Sequence, residues 1–75
     1  MIERVYKNEI DELPQNTILE ELRIWYEVDG EIRQQVIPFA VITNKKIFRA
    51  SKEGKILAEE KFKNIRKLSF IERYP

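Results

Sequence analysis

The chain has no cysteine and no histidine. The first absence removes disulfides, thiolate metal sites and a cysteine nucleophile. The second removes the commonest general base and a leading metal ligand. Only two glycines and three prolines occur in 75 residues, so turns are few and each can be placed. No uninterrupted apolar stretch approaches the length of a membrane-spanning helix, and the opening MIERVYKNEIDEL carries acids where a signal peptide needs an apolar run. The reading is a cytoplasmic protein in a reducing compartment. Hydrophobic residues at 43% and charged residues at 36% exclude disorder and describe a globular domain. A domain this small buries only about 60% of its unfolded surface, so one thin core over residues 1–75 is expected.

Charge is divided along the chain. Residues 1–43 hold four bases against nine acids, and residues 44–75 hold ten bases against four acids, a net −5 followed by a net +6. Such halves can neutralise each other within one fold or between subunits, or the basic half can present an anion-binding face.

The richest stretch is Gln35 to Ala50, QVIPFAVITNKKIFRA, which reads as two buried strands joined by a two-residue turn at Asn44-Lys45. Before it, Ile2, Val5, Tyr6, Ile10 and Leu13 recur at three- and four-residue steps, which predicts a short N-terminal helix over 1–14, stopped by Pro14. Thr17 with Glu20 also fits a capping box, leaving a further helical turn open. From Leu22 the period is two, with Leu22, Ile24, Tyr26 and Val28 on one face and Arg23, Trp25 and Glu27 on the other. Asp29-Gly30 marks a hairpin. A two-residue turn there would set Tyr26 against Arg33 and Ile24 against Gln35, so a three-residue loop is expected instead, pairing Tyr26 with Ile32 and Leu22 with Val36. That register makes Trp25 and Arg33 cross-strand neighbours able to stack. Pro38 predicts a strand bend. Ser51 to Gly54 is a turn, Lys55 to Glu59 a strand, Phe62 to Ile65 a single helical turn, and Arg66 to Ile71 a closing strand with Leu68 and Phe70 inward. The expected fold is mainly β, a small five-stranded SH3-like or Sm-like barrel over 18–75 behind the N-terminal helix.

The run Arg23 to Leu68 resembles the WYL domain, a bacterial Sm-like barrel: Tyr26, the Asp29-Gly30 hairpin, Pro38-Phe39, the Lys46-Ile47-Phe48 strand and Lys61-Phe62-Lys63-Asn64-Ile65 follow that family's layout. The tripeptide that names the family is absent, and Asn64 stands where its closing segment has arginine. The resemblance implies an anionic, nucleotide-like ligand held by basic positions. Thr43 to Phe48 followed by Lys61 to Ile65 is also similar to bacterial PH-like and GRAM domains.

Acid pairs such as Asp11-Glu12 and Glu59-Glu60 read as solvated surface, and Ser51 and Ser69 have no base or glycine elbow beside them. No enzyme, cofactor or metal site is expected. Lys45, Lys46, Arg49, Lys63, Arg66 and Lys67 are the candidate ligand or nucleic-acid contacts, with Trp25, Arg33 and Phe62 as stacking or interface anchors. Trp25 is either an exposed anchor or lies under the N-terminal helix. Two functions follow: a protein-interaction or self-association module working through strand edges, or a module binding a nucleotide or single-stranded nucleic acid.

Overall fold

The computed structural model describes residues 2–73, and the side chains of residues 4–71. Six strands form one open antiparallel sheet: β1 (Ile2–Lys7), β2 (Ile18–Val28), β3 (Glu31–Thr43), β4 (Lys46–Ala50), β5 (Ile56–Glu60) and β6 (Ile65–Arg73), in the order β1-β6-β2-β3-β4-β5. The mainly β class is as expected. The N-terminal helix is not formed, and a six-stranded open sheet stands in place of the five-stranded barrel. Residues 2–7 are strand, paired to β6 from Ile2↔Arg73 to Lys7↔Leu68, and helix among the described residues is limited to the 3-10 turn Ile10–Glu12. The apolar steps of this segment fit either structure. An isolated helix this short is marginal, whereas as a strand it sets Val5 opposite Phe70 against the core and Tyr6 on the other face beside Trp25.

The first hairpin also departs from expectation. Val28 lies opposite Glu31, Tyr26 opposite Arg33 and Ile24 opposite Gln35, so the turn has two residues. Asp29 and Gly30 have φ of 50° and 79°, both positive as a type I′ turn requires, and that turn matches the twist of the strands it joins. The polar row opposite Ile24 and Tyr26 lies at the rim of the sheet. Arg33 is exposed and 3.8 Å from Glu31, and the Gln35 amide donates to Glu60 at 3.4 Å. Arg33 therefore does not neighbour Trp25, whose partner on β3 is Gln34.

Midway along both long strands the buried face changes. Leu22 and Ile24 are buried, but so is Leu19; on β3 Ile37 is buried, then Ala40 and Ile42. The cross-strand partners Leu19↔Ala40 and Leu22↔Ile37 are thus both inward although each pair of steps spans three residues. Glu21 has φ of 47° and faces the interruption at Pro38, which has no N–H to donate. The inward-facing set of both strands therefore switches at the level of Glu21 and Pro38. Leu13, Leu19, Leu22, Ile24, Ile37, Ala40, Ile42, Ile47, Leu68 and Phe70 form the core. The hairpin at Asn44-Lys45 is as expected, with Ile42 opposite Ile47. Phe62 to Ile65 does not form a helical turn; Asn64 instead takes φ of 55° and its carbonyl accepts from Glu27 N–H at 3.1 Å.

Candidate interaction surfaces

The six candidate cations do not share one site. Lys45, Lys46 and Lys63 line a cleft of about 330 Å³ with Phe62, joined by Lys61, Ile10 and Ile65. β4, β5 and the segment after β5 bring these lysines together, because Asn44-Lys45 and Lys61-Phe62 lie at the same end of neighbouring strands, with Ile47 opposite Glu60. Phe62 rests against Tyr26 at 5.2 Å between ring centres, which turns its ring into the fold and leaves it half-buried. Lys45 is 3.8 Å from Asp11, and Glu59 and Glu60 also line the cleft. Lys46, Lys61 and Lys63 make no ion pair among the described residues.

The other three cations are engaged elsewhere. Arg49 lies 3.4 Å from Glu60, with both side chains partly buried, and Gln35 shares the same carboxylate oxygen. Arg49 is thus part of the packing between β4 and β5. Arg66 is paired with Glu27. Lys67 places its ammonium 4.4 Å from the centre of the Tyr6 ring and 4.9 Å from that of Trp25. Arg66 and Lys67 are therefore committed to neighbours within the chain.

The face of the sheet away from the core carries a second assembly of residues. Trp25 is half-buried, 6.1 Å from Tyr6, with Arg23 5.9 Å from its ring and Lys67 on the adjoining strand. Strand β1, not a helix, supplies the neighbour of Trp25. Tyr6 remains 51% exposed, and Ile32 and Val36 are exposed on β3. Tyr6 and Lys61 are absent from the candidates drawn from sequence. The helical spacing of residues 2–13 conceals Tyr6 on an apolar face, although the Ile-Val-Tyr content of residues 2–6 also favours strand.

The third surface is backbone. β1 and β5 are the outermost strands, so each leaves one row of N–H and C=O groups without a strand partner. β5 exposes Ile56 at 47% and Leu57 at 57%. Among the ion pairs of the described residues, Asp11–Lys45 and Glu27–Arg66 join the acidic and basic halves of the chain, so part of the charge division is neutralised within one molecule.

Among the described residues no group of three or more acids is placed to hold a metal, and no helix is long and apolar enough to cross a membrane. No known protein family, curated protein or solved structure matches this chain.

Proposed function

We propose that the chain is a non-enzymatic assembly module that joins copies of itself through the free edges of its sheet. The observation that carries this reading is the pair of unpaired edges, β1 and β5, at the two ends of the sheet, each open along its whole length, whereas β3 is open only before Ala40. An unpaired edge is a template for another strand, and here the apolar side chains that such pairing would cover, Tyr6 on one edge and Ile56 and Leu57 on the other, are exposed. The chain order of β2 to β6 is compatible with the SH3-like or Sm-like layout read from the sequence, with β1 as an addition outside it. Sedimentation of the unmodified chain tests the proposal: a mass above that of the monomer at micromolar concentration is expected, and a monomer throughout would reject it.

A second reading is favoured by the lysine cleft. Lys46, Lys61 and Lys63 around Phe62 form a compact cationic mouth suited to a phosphate group, as the WYL-like layout implies. Titration with a short oligothymidylate at low salt is expected to show binding that Lys46→Glu and Lys63→Glu each weaken. Removing one phosphate-binding lysine should also flatten the salt slope by about one unit. Unchanged binding in both variants would exclude this cleft, and undetectable binding by the unmodified chain would exclude the reading.

A further inference from the structure

Self-association leaves a choice between the two outermost strands, since the open side of β3 before Ala40 is interrupted by Pro38, and the two differ. β5 has five residues, and its pairing with β4 shifts between Ala50↔Ile56 and Arg49↔Ala58, which makes Leu57 an extra residue. A bulge of this kind twists an edge away from a straight partner strand. β1 pairs with β6 without a shift over all six residues, so its outer side is evenly spaced. Its residues alternate as a strand requires: Val5 packs towards the core, whereas Tyr6 lies on the other face with Trp25. Arg4, two residues from Tyr6, shares that face and is exposed.

A strand pairing antiparallel with its own copy has a two-fold axis either through one residue or between two. Set between residues, the axis would place Arg4 against Val5 of the second copy, whose side chains point to opposite faces, which no regular antiparallel ladder allows, so the two cores cannot be joined that way. An axis through a residue keeps them on one side. Through Arg4 it would oppose two guanidinium groups; through Tyr6 it would set Arg4 beyond the end of the strand, against Asn8. Through Val5 it pairs Val5 with Val5 and Arg4 with Tyr6 in both directions. An aromatic ring facing a cation stabilises such a pair.

The geometry points to β1 as the self-pairing edge, with the two-fold axis at Val5 and Arg4 of each copy stacked on Tyr6 of the other. This inference rests on the self-association proposed above and names its surface. It accounts for an aromatic ring left 51% exposed on the outermost strand, beside a Lys67 that already occupies part of the ring's surroundings.

Because the chain lacks cysteine, Val5→Cys introduces a single thiol. Facing residues of an antiparallel pair have Cα atoms about 4.5–5.5 Å apart, within the reach of a disulfide. Mild oxidation, or a short bismaleimide, is expected to link Val5→Cys into a covalent dimer with the far-UV spectrum of the unmodified chain. Lys7→Cys, whose two copies would lie roughly 13 Å apart along the strands, is expected to remain unlinked. Arg4→Glu, at an exposed position, is expected to weaken dimerisation about tenfold, since the symmetry removes two aromatic-cation pairs at once. Retained self-association with no linkage at position 5 but linkage in Leu57→Cys would assign the interface to β5 and overturn this inference alone. An unmodified chain that is monomeric would overturn the inference and the function together.

Discussion

Gly30 and Gly54 share a backbone conformation but not a neighbourhood. Both have positive φ, 79° and 93°. A Cβ on Gly30 would meet nothing within 4 Å, whereas one on Gly54 would lie 3.0 Å from Cδ1 and 3.3 Å from Cγ1 of Ile18. Alanine at position 30 therefore carries only the backbone cost, about 1 kcal/mol. Alanine at position 54 carries that cost and a shifted Ile18 as well; because Ile18 is exposed and meets it with the end of its side chain, the loss expected there is only slightly larger, about 1–1.5 kcal/mol. Urea denaturation of the two variants checks the order; equal losses would show that Ile18 moves aside freely. Gly54 is legible in sequence as a turn residue, but its closeness to Ile18 is not, because the two residues stand far apart in the chain and only the fold brings them together.

The two hairpins differ in how plainly their sequences announce them. Asn44-Lys45 can be placed because apolar residues crowd both sides of it and only one register keeps Ile42 beside Ile47. Asp29-Gly30 differs, because β3 is exposed over most of its first half. In the folded chain Arg33 reaches solvent and Gln35 reaches Glu60, so turn geometry decides where burial does not. The N-terminal strand is hidden for a related reason: its apolar spacing suits two structures, and the free side of β6 selects between them. Lys45 also sits at φ of 60°, a conformation costly for a residue with a side chain. Lys45→Gly is expected to stabilise by roughly 0.5–1 kcal/mol after the greater backbone entropy of glycine is subtracted. Its exposed pairing with Asp11 contributes little against that. A midpoint that falls in thermal or urea denaturation would contradict this account of the turn.

For the whole molecule, the sequence carries the β class, the chain order of β2 to β6, and the inward residues Leu22, Ile24, Leu68 and Phe70. It locates a basic cluster but merges three groups that the sheet separates: the cleft lysines, Arg49 and Arg66 in ion pairs, and Lys67 among aromatic rings. Strand neighbours in space decide that separation, and linear charge runs do not encode it. The charge division between the halves is partly cancelled inside one copy through Asp11–Lys45 and Glu27–Arg66. Association is therefore expected to depend on edge pairing and on Arg4–Tyr6 stacking more than on attraction between oppositely charged halves, and added salt should weaken it only modestly. Sedimentation equilibrium of the unmodified chain across a micromolar concentration series, at low and at physiological salt, reads the association itself. The expected result is a reversible rise from the 9.1 kDa monomer to twice that mass. A single monomer mass at every concentration in low salt would contradict it.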